Sequence, residues 1–267
     1  MEVPESVCIV TGANAGIGKE VTAGLMQDGH HVIMACRNMT RCEEARSELK
    51  QRSLPGSCEC MRVDLGDFAS VRAFAKGAVK QLRAQHQKIK ILQLKINHFG
   101  PFLLTSLLLP ELAQNARIVN VASRAHQQGS LKIKNGQIQG TPSHWYTQYA
   151  RSKLCNVVHV LELQRRLSVD ERRIAAYAVS PGRVQTQIFQ NLPPLARAVL
   201  DPLSTAFFQT PKQGASTVLY AALSPEISED RDALYLHACK VVQPSKLAQD
   251  RVLAQHLWEA SERAVGV

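Results

Sequence analysis

Short apolar runs alternate with amphipathic stretches along almost the whole chain. Val7-Cys8-Ile9-Val10 is a continuous apolar run, as expected of a strand buried on both faces. A glycine-rich turn follows, and helical apolar spacing then runs over 17–27, closed by Gly29. The run 31–35 predicts a second buried strand. Residues 40–51 predict a charged helix with Thr40 as N-cap and Glu43 three positions on. The alternation continues with a strand at 60–63 and a helix at 68–83 behind Asp67 as a cap. Next come a strand at 89–94, a helix at 99–112 and a strand at 117–122. A long helix at 149–166, a strand at 174–179, a helix at 211–223, a short strand at 234–236 and an amphipathic helix at 245–263 bearing Trp258 complete the order.

Strands alternating with helices predict an α/β fold: a doubly wound parallel sheet of Rossmann type in three α/β/α layers. No repeat, linker or low-complexity tract interrupts the pattern, so residues 1–267 read as a single domain. The apolar, irregular stretch near 187–210, with Pro193, Pro194 and Pro202, reads as a lid over one edge.

Composition adds limits. An apolar share of 45% supports a real core, and 20% charged residues argue against a disordered chain. The net charge of +10 admits nucleic acid or anionic membranes as partners. Lys76, Lys80, Arg83, Lys88, Lys90 and Lys95 carry no interleaved aromatics, however, and read as a solvated helix face, so nucleic acid is set aside. The 7 cysteines are odd in number and lack a paired CxxC, and Cys58-Glu59-Cys60 has the wrong spacing for zinc. They read as reduced thiols of a cytoplasmic protein without a metal site. The stretch 101–112 is too short to span a membrane and no leader is visible, so the chain reads as soluble; association with a membrane surface is compatible with this.

The chemistry clusters at the ends of the predicted strands. Gly12-x-x-x-Gly16-x-Gly18, between the first strand and first helix, lets backbone N–H groups approach a pyrophosphate at a helix N-terminus. Asn14 and Ile17 belong to the same turn. The second strand runs into Cys36-Arg37-Asn38 with no carboxylate for a ribose hydroxyl, and Arg37 suits a 2′-phosphate; this favours NADP over NAD. Asp64-Leu65 follows the third strand, where a carboxylate could accept from an adenine amino group or simply cap a helix. Tyr149 and Lys153 lie four apart on one helix face, and an ammonium beside a phenol lowers the phenol's pKa toward neutrality. Ser123, just past the fifth strand, could bond a substrate oxygen.

In this order the glycine turn, Ser123 and Tyr149-x-x-x-Lys153 resemble the short-chain dehydrogenase/reductase family over nearly the whole chain. Further matches are Asp64-Leu65, Asn97 in the run 96–105, and Pro181-Gly182-x-Val184-x-Thr186. Ala35-Cys36-Arg37-Asn38 and Leu257-Trp258-Glu259-Ala260-Ser261 look like its retinol-dehydrogenase-like branch. The resemblance implies Tyr149 as general acid/base and Lys153 as ligand of the nicotinamide ribose. It implies Ser123 as orienter of the reacting oxygen and Asn97 as support of a proton relay. Pro181, Gly182, Val184 and Thr186 would lie along the nicotinamide. An alcohol or carbonyl on an apolar, retinoid-, steroid- or lipid-like molecule would be the substrate, and a homodimer is compatible with the resemblance.

One departure stands out. The family's Asn-Asn-Ala-Gly motif at the end of strand four, and the segment after it, have no counterpart: Ile91-Leu92-Gln93-Leu94 runs almost directly into Lys95-Ile96-Asn97-His98. The sheet can survive this, because 21 residues (95–115) remain before strand five and a parallel crossover needs about a dozen. The floor of the cofactor site is more exposed to the loss, so a catalytically impaired protein that keeps the fold for binding or scaffolding is the alternative reading.

Overall fold

The structure is a computed structural model and describes residues 6–94, 98–139, 144–182, 209–227 and 234–267. One sheet organises it. The strands are β1 (Ser6–Thr11), β2 (His31–Cys36), β3 (Ser57–Arg62), β4 (Lys88–Leu94), β5 (Leu112–Val121), β8 (Ala175–Ser180), β9 (Tyr235–His237) and β10 (Lys240–Val241), with a separate hairpin of β6 (Ile133–Lys134) and β7 (Gln137–Ile138). The spatial order is β10-β9-β8-β5-β4-β1-β2-β3, parallel throughout except for the antiparallel edge pair β9/β10. Helices α1 (Gly16–Gln27), α2 (Met39–Gln51) and α6 (Pro211–Leu223) cover one face. Helices α3 (Phe68–Ala84), α4 (Phe99–Leu108), α5 (Trp145–Leu167) and α7 (Arg251–Val265) cover the other. This is the expected three-layer, Rossmann-like arrangement.

Each central strand sends alternate residues into two cores: Val7 and Ile9 of β1 face α3–α5, while Cys8 and Val10 face α1 and α6. α3 shows the helical counterpart. Val71, Phe74, Ala75, Ala78 and Leu82 form its buried stripe, and the Asp67 carboxylate accepts from the Ala69 N–H at 2.9 Å.

Several local expectations are corrected. α2 is capped by Asn38, whose side chain accepts from the Arg41 N–H at 3.0 Å, so Thr40 lies inside the helix. The helix expected over 99–112 ends at Leu108 in a short 3₁₀ turn, Leu109–Glu111, because Pro110 lacks an N–H and its ring crowds the carbonyl of Ser106. β5 accordingly starts at Leu112. The closing helix begins at Arg251 rather than 245, after a 3₁₀ turn (Lys246–Gln249), because the Asp250 side chain accepts from the N–H groups of Val252 and Leu253. Nor are all cysteines free thiols. α2 lies over β2 and β3, which brings Cys42 within a Cα–Cα distance of 6.1 Å of Cys60, and the two are joined in a disulfide. Sequence spacing could not show this contact between neighbouring elements.

The sheet forms with the short junction in place. β4 pairs with β1 and β5 on either side, with register shifts at Val7/Cys8 and at Ile89/Ile91. Two side chains near its C-terminal end have no partner among the described residues: Gln93 and Asn120 are each 1% exposed, and neither amide makes a hydrogen bond there.

Candidate active site

The C-terminal edge of the parallel strands gathers the candidate residues. β1 ends in the glycine turn, where Gly12 (φ 64°) donates its N–H to Ala35 of β2 at 2.9 Å. Gly16 has φ 54° and open space where a Cβ would stand, while a Cβ on Gly18 would lie 2.2 Å from the Gly12 carbonyl oxygen. The turn therefore requires glycine at both positions. α1 starts here with Ala15 as N-cap and no side chain capping it. Ile17 is buried beneath the turn. Cys36, at the end of β2, lies against the backbone of Ala13 and Asn14; burial pushes its thiol up to about 11, which makes it an inert packing group. Arg37 is exposed beside this turn and has no hydrogen-bond or ion-pair partner among the described residues.

Asp64 serves its own loop. Its Oδ1 accepts from Gly66 N–H at 2.9 Å, and its N–H donates to Ser70 Oγ at 2.9 Å. Leu65 is buried, and α4 packs directly on its carbonyl.

Tyr149, Lys153 and Ser123 come together. Ser123 follows β5 and caps a 3₁₀ turn, Arg124–Gln128, accepting from the Ala125 N–H at 3.2 Å. That turn packs so closely on α5 that a Cβ on Gly129 would stand 2.7 Å from the Ala150 carbonyl oxygen. The contact places the Ser123 hydroxyl beside Tyr149, where it acts to lower the phenol's pKa. Lys153, 7% exposed, lies 5.7 Å from the centre of the Tyr149 ring and donates to the Val121 carbonyl at 3.0 Å.

The electrostatics correct one expectation. The Tyr149 phenol is raised, not lowered, from its ordinary 10: burial outweighs the opposing effect of Ser123. Lys153 sits over the ring face and donates to the Val121 carbonyl.

Pro181 and Gly182 follow β8 at the same edge. Asn97, Val184, Thr186 and nearly all of the lid near 187–210 lie outside the described residues. Tyr146, one turn before Tyr149, turns away and donates to Gln128 Oε1 at 2.8 Å. Sequence reasoning missed His126. Its Nδ1 lies 2.8 Å from the Ser123 carbonyl and its Nε2 accepts from the Ser245 N–H at 3.1 Å, so the imidazole ties the Ser123 turn to the C-terminal region. A single histidine in a loop carries no spacing that would reveal this.

Comparison with known proteins decides the family. Dehydrogenase/reductase SDR family member 13 of Homo sapiens is 36% identical over 280 positions, spanning 97% of this chain and 73% of that protein. The chain belongs to the short-chain dehydrogenase/reductase family. The family profile described as short chain dehydrogenase matches residues 6–94. Within this oxidoreductase family the chain falls in the retinol-dehydrogenase-like branch: retinol dehydrogenase 12 of Mus musculus is 33% identical, covering 100% of this chain and 88% of that one. Among solved structures, a protein of uncharacterised role from Mycobacterium paratuberculosis superposes with a TM-score of 0.74 at 28% identity, covering 98% and 94% of the two chains. A blue fluorescent protein from a metagenomic library, solved with NADPH, shares the fold at a TM-score of 0.66 and 19% identity, covering 89% and 98%. Short-chain dehydrogenases/reductases use NAD(P). The open space at Gly16, the uncapped start of α1 and the unpartnered Arg37 fit the phosphate groups of such a cofactor. Among the described residues no group of three or more His, Cys, Asp or Glu could hold a metal, and no helix is long and apolar enough to cross a membrane.

Proposed function

We propose that this chain is an NADP-dependent oxidoreductase that interconverts an alcohol and a carbonyl on an apolar substrate of retinoid, steroid or lipid type. The observation that carries the reading is the meeting of Ser123, Tyr149 and a buried Lys153 on the sheet edge that holds the glycine turn and Arg37. Bound at this edge, the nicotinamide supplies or accepts the hydride. The protein's own part is to hold phosphates and move a proton. Gly12, Asn14, Gly16, Ile17 and Gly18 form the pyrophosphate turn, Arg37 takes the 2′-phosphate, and Asp64-Leu65 borders the adenine. Ser123 fixes the reacting oxygen, and Tyr149 gives it a proton in reduction or takes one in oxidation. Lys153, freed from the Val121 carbonyl, can bond the ribose and stabilise the phenolate. Pro181, Gly182, Val184 and Thr186 flank the nicotinamide, Asn97 supports proton relay, and 187–210 closes over an apolar substrate within one domain of 267 residues.

The test is Tyr149→Phe, which keeps the ring and removes the ionisable oxygen. Turnover of retinal or a steroid ketone with NADPH should vanish while the circular dichroism spectrum is kept. Activity equal to the unaltered protein would assign the proton transfer to another group.

A second reading is a fold-competent relative with a weakened cofactor site, and three observations bear on it. The profile match stops at Leu94, where the strand-four motif is missing. In line with it, the alignment to the human relative runs over 280 positions while covering 97% of 267 residues, so about 21 positions of the relative have no counterpart here. Nearby, the amides of Gln93 and Asn120 have no partner among the described residues.

A further inference from the structure

The end of the sheet opposite the candidate active site carries a cleft of about 800 Å³. It lies between the α1–β2 turn (Asp28, His30), β4 and β5 (Lys90, Arg117), Gln164 of α5 and Arg173 just ahead of β8. Its size is that of a small-molecule site. Asp28, its one lining carboxylate, is exposed and lies 3.1 Å from His30 Nε2. Arg117 is half-buried and donates to the carbonyls of Ala221 at 3.1 Å and Ser224 at 2.7 Å, which fixes it at the C-terminal end of α6. No carboxylate pairs with it among the described residues, and burial draws its pKa down. The side chains of Lys90 and Arg173 make no hydrogen bond or ion pair among the described residues. Gln164 accepts from the Ala176 N–H at 2.8 Å through its carbonyl oxygen, which leaves its amide N–H groups as donors.

Three cations and an amide donor thus surround one concavity against a single carboxylate, Asp28, which leaves an excess of positive charge. Such a lining raises the local concentration of negative ligands. Phosphate matches it well, since its several acceptor oxygens can take bonds from an ammonium, a guanidinium and an amide together. We propose that this cleft is a second ligand site, for a compact anion bearing phosphate groups, either a free phosphorylated small molecule or a phosphorylated lipid headgroup. The site is separate from the glycine turn, which lies at the other end of the same strands.

The experiment uses the full chain and inorganic pyrophosphate, followed by calorimetric titration at low salt. Lys90→Gln and Arg173→Gln together remove two charges from partly exposed positions and leave the Arg117 anchor. Binding should weaken about tenfold or more in this double variant. Lys246→Gln, which removes an exposed charge outside the cleft, should leave it unchanged. Vesicles with and without phosphatidic acid then separate the sources. Sedimentation with phosphatidic acid vesicles that is lost in the double variant identifies a lipid headgroup; pyrophosphate binding without sedimentation identifies a free ligand. Absence of both pyrophosphate binding and sedimentation would overturn the proposal. So would affinity unchanged in the double variant, or affinity lost equally in Lys246→Gln. Tighter binding of duplex DNA that depends on Lys90 and Arg173 would also overturn it, by making the surface a nucleic-acid contact.

Discussion

Replacing His159 should flatten the loss of stability at mildly acid pH. His159 of α5 is 3% exposed and is enclosed by Trp258 (5.4 Å between ring centres, stacked), Phe102 (5.1 Å) and His98 (5.6 Å). Neither of its ring nitrogens has a hydrogen-bond partner. Burial pushes its pKa from 6.5 to about 4, only weakly opposed by the Glu162 carboxylate, which is itself engaged by Arg165 and Arg166. The unfolded chain therefore binds more protons than the folded one between these values. The stability contributed by the neutral imidazole is complete above the unfolded value of 6.5, falls as the pH drops through the interval, and levels off below about 4. The whole shift amounts to about 3 kcal/mol, of which about 2 kcal/mol is lost between about pH 7.5 and about pH 5. In a chain of this size that is a fall in Tm of about 4–8 °C. His159→Leu, close in volume and without polar atoms, should be at least as stable at neutral pH, since it removes two unpartnered nitrogens. It should lose about 2 kcal/mol less on acidification. Urea unfolding of both proteins at the two pH values measures the difference directly. Buried His98, whose pKa is also pushed down, and the paired carboxylates remain in both proteins. Equal acid losses in the two proteins would refute the reasoning.

Three further outcomes can be measured. NADPH should bind about 10- to 150-fold tighter than NADH through a charge-assisted bond to Arg37, and Arg37→Ala should erase the preference; equal titration curves for the two cofactors in the unaltered protein would reject the role of Arg37. Inserting an Asn-Asn-Ala-Gly-containing segment of a relative between Leu94 and Lys95 should raise both cofactor affinity and turnover, and an insert that folds but leaves both unchanged would place any weakness elsewhere. Dithiothreitol should lower the unfolding free energy by about 3 kcal/mol by opening the Cys42–Cys60 link, which has a sequence separation of 18; identical urea midpoints with and without reductant would mean that the thiols are not joined in solution.

The element order was legible from the chain because it rests on local periodicity. Continuous apolar runs such as Val7–Val10 are buried on both faces, and i, i+3, i+4 stripes such as Val71, Phe74 and Ala75 are buried on one. The glycine turn was legible for the same reason, since its demands on φ and on close approach act within seven residues. So was the shared face of Tyr149 and Lys153, which any helix would create. Contacts between elements distant in sequence were not legible. The pairing of Cys42 with Cys60 depends on α2 lying over β3, and the approach of Ser123 to Tyr149 depends on a loop packing against α5. The state of Tyr149 also escaped the sequence, because its burial, which raises the phenol's pKa, is set by tertiary packing. The enclosure of His159 by α4 and α7, and the convergence of Lys90, Arg117 and Arg173 at the far end of the sheet, have the same origin: they follow from strand order and helix packing, which no local window of sequence contains.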